Sequence, residues 1–197
     1  MILGRLYLAW GKLDLARIYL RRNLAATREA GMNPLLANSL SLLGDIELAL
    51  GNAAGARRLY EESLERYAAT DPTRSPAFAS CANGLGRVAL GSGNLAAARE
   101  HLRQALMAPV RSPEETAAAI AGLARVLTQQ GEVERAAELL AFVASWPATP
   151  YAIWSAVEKT LREMESQLPP DLLAAAMARG RARLSDDVVT ELIGDRQ

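Results

Sequence analysis

Four stretches of the chain repeat the same order of small, large and polar positions after a glycine. An alanine follows five residues after each glycine, a large residue nine after it, and in three cases a leucine thirteen after it. These offsets lie on one side of an α-helix, so the pattern predicts a helix with one stripe of small and large side chains. The glycines are Gly11, Gly51, Gly93 and Gly131, the alanines Ala16, Ala56, Ala98 and Ala136, and the large residues Leu20, Tyr60, Leu102 and Leu140.

The residues before each glycine repeat as well. Seven positions upstream stands a small residue preceded by leucine, and the small residues are Gly4, Gly44, Gly86 and Ala124. Small residues on two successive helices allow their backbones to approach closely. Asn33-Pro34, Ser75-Pro76 and Ser112-Pro113 are typical of helix starts, because a capping side chain precedes proline. Each unit therefore reads as a helix, a glycine turn and a second helix.

The stretch GRVALGSG, residues 86–93, has a second interpretation as a nucleotide phosphate loop. Such a loop needs a preceding β-strand and a lysine that reaches the phosphates. Ser92 stands where the lysine would be required, and the preceding residues are helical in pattern. The repeat interpretation is therefore favoured, with Gly86 inside a first helix and Gly93 in the turn.

The run Leu43-Gly44, Gly51, Ala56, Tyr60 and Leu64 resembles the tetratricopeptide repeat. This resemblance implies an all-α fold, a right-handed α-α superhelix of helical hairpins, with four repeats over residues 1–148. The first repeat is expected to be truncated, since only three residues precede Gly4. Either the chain was cut from a longer protein, or its open surface is covered from elsewhere. The units depart from the family in lacking its early tryptophan and in being longer than 34 residues.

Residues 149–197 no longer follow the repeat and are expected to form C-terminal capping helices packed on the last repeat. A solenoid must cover the exposed face of its final unit, and Ile153, Val157 and Leu161 begin a helical apolar stripe. Trp146, Tyr151 and Trp154 are expected to pack at this junction. A role in stacking against a ligand is the alternative for these three aromatic residues.

The tail LPPDLLAAAMARGRARLSDDVVTELI resembles the extreme C-terminus of large bacterial LuxR-type regulators, which are signal-transduction ATPases. In those proteins a helical-repeat region is thought to sense inducers or partners. The resemblance covers about 30 residues from Leu168. This chain contains neither an ATPase nor a recognisable DNA-reading helix, so ATP hydrolysis and DNA binding are not carried over.

Composition argues against several other classes of function. Lys+Arg and Asp+Glu both number 22, and this balance gives no overall attraction to nucleic acid or to anionic lipid. We therefore expect no direct nucleic-acid binding. No apolar run approaches the roughly 20 residues needed to cross a bilayer, so no membrane association is expected, and a single cysteine, which rules out an internal disulfide, suits a cytoplasmic location. The single histidine, His101, and the single cysteine, Cys81, cannot form a zinc cluster. No catalytic residue, metal site or cofactor is predicted, and the chain is not expected to be an enzyme.

The resemblance to tetratricopeptide repeats implies a binding surface, because first helices line the concave side of such arrays. Equivalent positions beside the small residues carry a column of charged side chains, and other positions of the family's pattern add polar ones. The charged residues are Arg5, Asp45, Arg87 and Arg125, and the polar residues are Asn38, Ser41, Asn83 and Gln129. Three arginines beside one aspartate could hold an acidic or phosphorylated peptide through paired hydrogen bonds. The alternative is that these arginines are solvated or paired with nearby acids.

Two functions follow from these patterns. The first is a protein-interaction scaffold that forms the sensory, partner-binding C-terminal segment of a bacterial transcription regulator. The alternative is a free-standing adaptor that binds a peptide or a subunit in its concave groove. Self-association as a homo-oligomer through the truncated first repeat is compatible with either function.

Overall fold

The computed structural model describes residues 2–30, 33–68 and 77–194, which form eleven helices and no strand. None of these helices is long and apolar enough to span a bilayer. The helices are α1 (Ile2–Ala9), α2 (Leu13–Glu29), α3 (Asn33–Ala49), α4 (Ala53–Ala68), α5 (Ala77–Gly91), α6 (Leu95–Met107), α7 (Pro113–Gln129), α8 (Val133–Ser145), α9 (Tyr151–Met164), α10 (Pro170–Arg181) and α11 (Ser185–Gly194).

Each of the first eight helices belongs to a hairpin that turns at one of the four predicted glycines. All four glycines have positive φ, between 68° at Gly11 and 87° at Gly131, a conformation that other residues rarely adopt. The residue after each glycine donates its amide to a carbonyl five positions earlier, as in Asn52 N to Glu47 O at 2.8 Å. This bond closes the end of the first helix and reverses the chain.

The predicted helix starts agree with the structure to different degrees. Ser112 caps α7 in a full capping box, since its hydroxyl accepts from the Glu115 amide and the Glu115 carboxylate accepts from the Ser112 amide. Helix α3 begins at Asn33 itself, and Ser75-Pro76 lies outside the described residues. Thr149 precedes a proline as Ser112 does, but it does not cap α9. Pro150 occupies the N-cap of α9, and the Thr149 hydroxyl donates to the Val143 carbonyl at 2.8 Å.

Close approach at small residues is confirmed by the packing around Tyr60. This side chain on α4 is fully buried, with Gly44 of α3 on one side and Gly84 of α5 on the other. A methyl group added at either glycine would lie 2.6 Å from the Tyr60 ring atom Cε1. The next unit repeats the arrangement, with Leu102 held between Gly86 and Gly122. On α4 and α6, one large side chain therefore fills the space that two glycines leave.

The first helices α3, α5 and α7 contact one another in succession, whereas consecutive second helices make few or no such contacts among the described residues. Because the first helices lie closer together, the array curves towards them and they form its inner side. Together with the hairpins, this curvature confirms the predicted all-α repeat superhelix.

The C-terminal helices fold back along the outer side of the array. Helix α9 contacts α8 and α7, α10 contacts α8, and α11 contacts α6 of the third unit. Gly180 lies so close to α8 that a methyl group there would overlap the carbonyl oxygen of Glu138. Arg179 bonds Glu134 at 2.6 Å and Glu138 at 2.9 Å, so charge pairs reinforce this contact.

Glu191 joins α11 to the same network. Its carboxylate pairs with Arg183 and, at 3.1 Å, with Arg135 of α8. Burial alone would raise the pKa of Glu191, but the bonds from these two arginines outweigh burial and lower it. The carboxylate therefore stays ionised as the partner of both arginines.

Only one of the three junction aromatics packs as predicted. Trp146 is half-buried and stacks on Phe142 with ring centres 5.9 Å apart. Tyr151 is 77% exposed and Trp154 is 39% exposed, and their rings stack on each other at the start of α9. Helix α9 packs instead through Ile153, Val157 and residues further along, which leaves Tyr151 and Trp154 on its exposed side.

Candidate functional site

The inner side of the array carries most of the predicted binding residues, but they differ in accessibility. Asn38 and Asp45 are half-buried on α3, Arg87 is exposed on α5, and Arg125 and Gln129 are exposed on α7. The side chain of Arg5 lies outside the described part of the structure. A binding role for these eight residues stays a prediction.

Ser41 and Asn83 are buried and bridge neighbouring first helices. The Ser41 hydroxyl donates to that of Ser80 at 3.4 Å, which joins α3 to α5. The Asn83 side-chain amide donates to the Glu115 carbonyl at 2.9 Å, which joins α5 to α7. The Asn83 side-chain oxygen is buried and has no hydrogen-bond partner among the described residues. This oxygen is therefore unpaired among the described residues but lies beneath the surface.

The predicted column of charges divides into a closed cluster and a separate arginine. Arg87 pairs with Asp45, and Tyr60 donates its hydroxyl hydrogen to the same Asp45 oxygen at 2.8 Å. The Tyr60 oxygen also accepts from Arg87 at 3.3 Å. Arg125, one unit further along, makes no ion pair with any described residue. Of the two arginines of the column whose side chains the structure describes, Arg87 is paired and Arg125 is not.

Electrostatics keep the Tyr60 hydroxyl protonated and the Arg87 guanidinium charged. Burial is the main reason that the pKa of the Tyr60 hydroxyl is raised, and the charge of Asp45 raises it further against the opposing charge of Arg87. The hydroxyl thus remains protonated and donates to Asp45. Burial lowers the pKa of Arg87, but the carboxylate of Asp45 outweighs this effect and the pKa is raised. Arg87 remains cationic, and its side chain is still 46% exposed to a ligand.

The role of the Tyr60 hydroxyl was missed by the sequence pattern, which treated Tyr60 only as a large packing residue. A signal was present, because the equivalent residues are Leu20, Leu102 and Leu140. Asp45 is likewise the one acidic residue in a column of arginines. The two departures from the repeat occur in the same unit, and the structure brings them into contact.

The single cysteine and the single histidine of the chain are buried and half-buried, respectively. Cys81 is fully buried, donates to the Ser63 hydroxyl at 3.2 Å, and has a pKa that burial raises to about 11. His101 is half-buried, and its Nδ1 has no hydrogen-bond partner among the described residues. Within the part of the chain that the structure describes, no three His, Cys, Asp or Glu side chains are grouped to hold a metal ion.

Comparison with known proteins identifies the repeats. One model of the tetratricopeptide repeat matches residues 2–69 and again 35–108, and a second model of the same repeat matches residues 89–150. No curated protein matches the chain in sequence. Tetratricopeptide repeats generally serve as non-catalytic scaffolds for interaction with proteins. The matched residues extend over more than half of the chain and over all four hairpins, so the chain belongs to the tetratricopeptide repeat family.

Proposed function

We propose that this chain is a non-catalytic scaffold whose inner groove binds an acidic or phosphorylated peptide segment of a protein partner. The observation that carries the proposal is Arg125, an exposed guanidinium on an inner helix without an ion pair among the described residues. A guanidinium offers several donors in a planar fork that fits a carboxylate or a phosphate. Arg87 adds a second cation whose direction is fixed by Asp45 and Tyr60.

We further propose that the four repeats of residues 1–148 and the tail of residues 149–197 act together as the sensory segment of a bacterial cytoplasmic transcription regulator. Support comes from the tail motif that resembles such regulators. Arg179 and Gly180 of this motif make the close contacts between α10 and α8. The tail is thus coupled to the last repeat. A reading frame that joins this segment to an ATPase or a helix-turn-helix would support this role, and a frame without either would favour the free-standing adaptor.

The groove is tested with a fluorescently labelled library of acidic peptides, with and without phosphate, by fluorescence anisotropy. We expect saturable binding that weakens with salt, and Arg125→Ala should weaken it about tenfold, since a charged hydrogen bond contributes about 1.5–3 kcal/mol. The matched control is Arg58→Ala, an exposed arginine on α4 outside the groove. Absence of binding to any acidic peptide, or equal losses in the two variants, would refute the groove proposal.

A further inference from the structure

A small cavity lies where α11 meets the outer side of the array, beside the second helices α6 and α8. It has a volume of about 20 Å³ and is partly open to solvent, whereas a buried water needs about 10–15 Å³. The cavity therefore has room for a small chemical group. The lining residues are three arginines and three leucines, namely Arg99 and Arg103 of α6, Leu123 and Leu127 of α7, Arg135 of α8 and Leu192 of α11.

The cavity combines apolar and cationic walls. Its three leucines are each no more than 6% exposed, and its three arginines are half-buried. Among the described residues, no carboxylate lines the cavity. Because the leucines exclude water from one side, an anion placed against the arginines is screened less than it would be on an open surface.

Arg103 is the arginine of this cavity that lacks a carboxylate partner. Its Nε donates to the Leu192 carbonyl at 3.2 Å and its Nη2 to the Ile193 carbonyl, and both acceptors are neutral. It makes no ion pair with any described residue, and its Nη1 makes no hydrogen bond with one. A guanidinium has five N–H donors, so the Nη1 donors of Arg103 remain available to an anion.

The other two arginines are held in place by bonds of their own. Arg135 pairs with Glu191 at 3.1 Å and with Glu132 at 3.8 Å, and Arg99 donates to the Gln130 side-chain oxygen at 2.7 Å. These bonds fix the two side chains beside the cavity. Arg103 thus contributes a charge without a counter-charge among the described residues, in surroundings whose geometry is already set.

We propose that this cavity binds a short aliphatic carboxylate, for which butyrate is the probe. The carboxylate accepts hydrogen bonds from Arg103, and the carbon chain contacts the three leucines. An inorganic anion leaves the leucines without a partner, and an uncharged chain leaves Arg103 without a counter-charge. The site lies outside the inner groove and does not involve Arg125, so it goes beyond the proposed function and does not depend on it.

The position of the cavity couples ligand binding to α11. Leu192 of α11 lines the cavity, and Arg103 holds the end of the same helix through two backbone carbonyls. A ligand that contacts both residues adds a link between α11 and the repeats. Binding therefore slows the opening of α11.

The test titrates the ¹⁵N-labelled full chain with butyrate at constant ionic strength and follows the amide chemical shifts. The shifts should saturate and should be largest in α6, α7 and α11 around the cavity. Butyramide has the same chain without the charge, chloride has the charge without the chain, and each should bind at least tenfold more weakly. Acetate lacks two methylenes and should bind roughly tenfold more weakly. Saturating butyrate should also slow amide exchange in residues 185–194.

Two variants assign the site to the cavity. Arg103→Gln should weaken butyrate binding at least tenfold. Because this variant also removes an anchor of α11, Arg99→Gln provides a second one that leaves the Arg103 bonds in place, and it should weaken binding about threefold or more. The matched control is Arg162→Gln, an exposed arginine on α9 that does not line the cavity.

Several results would overturn the proposal. These are shifts that do not saturate or that lie away from the cavity, and equal affinity for butyramide or chloride. Unchanged affinity in both cavity variants, or an equal loss in Arg162→Gln, would also overturn it. Faster exchange of α11 in the presence of butyrate would contradict the coupling between ligand and helix.

Discussion

At the scale of single residues, the fold depends on glycines that leave room for a large side chain of a neighbouring helix. Tyr60 fits between Gly44 and Gly84, and Leu102 fits between Gly86 and Gly122. The protein interior is close-packed, so one extra methyl group at such a place has nowhere to go. A glycine in the same helix but at an open position should tolerate that methyl group.

Gly84→Ala should therefore destabilise the protein by about 1–3 kcal/mol, which is the usual cost of overpacking a core. Its added carbon would lie 2.6 Å from the Tyr60 ring atom Cε1. The matched control is Gly91→Ala at the end of the same helix, where an added carbon meets no atom within 4 Å. Urea denaturation should give a lower midpoint for Gly84→Ala and an unchanged or slightly higher one for Gly91→Ala. Equal midpoints would mean that the helices can separate without cost.

Cys81 should be unreactive while the protein is folded. Its pKa is raised from 9.0 to about 11, which reduces the thiolate fraction at neutral pH by about a hundredfold, and burial blocks access as well. A thiol reagent should modify the native chain much more slowly than the chain in urea. Modification of native protein at the rate seen in urea would contradict the buried position.

The raised pKa of Cys81 also predicts that the protein becomes less stable in alkaline solution. Above pH 9 the unfolded chain loses the Cys81 proton while the folded chain keeps it until about pH 11, so stability falls across this range. Cys81→Ala should lack this part of the decline. Urea midpoints of both proteins, measured from pH 8 to pH 10.5, would reveal the difference in slope.

The residues that the sequence predicted best are those whose role is set by helical spacing. Gly44, Ala56 and Tyr60 lie where the repeat places them, because periodicity determines which face a side chain occupies. The hydrogen bonds of Tyr60 and the ion pair of Arg87 could not be read from spacing. They depend on which side chains meet within one hairpin, as Tyr60 and Asp45 do, and on which the next hairpin brings within reach, as with Arg87.

At the scale of helices, the four hairpins were predictable and the path of the tail was not. Turn glycines and caps mark the ends of a helix locally, and the repeat then gives each hairpin its neighbour. Helices α9, α10 and α11 have no repeat partner in the sequence. Their apolar stripes predict helices but do not say that α10 packs on α8 and α11 on α6.

Arg103 provides the contact that fixes the end of α11. Its Nε donates to the Leu192 carbonyl at 3.2 Å, and its Nη2 donates to the Ile193 carbonyl. Carbonyls at the C-terminal end of a helix lack partners within the helix. The guanidinium of Arg103 therefore donates hydrogen bonds to them and also interacts favourably with the negative end of the helix dipole. Few other contacts hold α11 to α6.

Arg103→Ala should therefore loosen α11 without unfolding the repeats. Amide exchange in residues 185–194 should accelerate by about fivefold to tenfold, as expected for the loss of about 1 kcal/mol or slightly more. Gln104→Ala is the matched control, since the Gln104 side chain bonds only Glu100 on its own helix among the contacts of the described residues. Unchanged exchange in α11, or equal acceleration throughout α6, would show that Arg103 is not the anchor.

At the scale of the whole molecule, apolar packing is uneven along the array. The largest cluster joins α5 to α11 across the third unit, the fourth unit and the tail. The first two units contribute to smaller, separate clusters around Leu20 and Tyr60. In a repeat array each unit contacts mainly its neighbours, so local stability follows the local cluster.

We therefore predict that α1 to α4 open before α6 to α8. Hydrogen exchange measured in increasing urea should lose protection in residues 2–68 at lower concentrations than in residues 95–145. Gly4→Ala places a carbon 2.5 Å from Leu20 Cγ and weakens the first unit, so it should increase the difference between the urea concentrations at which the two regions lose protection. Gly122→Ala places a carbon 2.7 Å from a Leu102 side-chain atom and weakens the larger cluster, so it should decrease that difference. Simultaneous loss of protection in both regions, unaffected by either variant, would mean that the array unfolds as one cooperative unit.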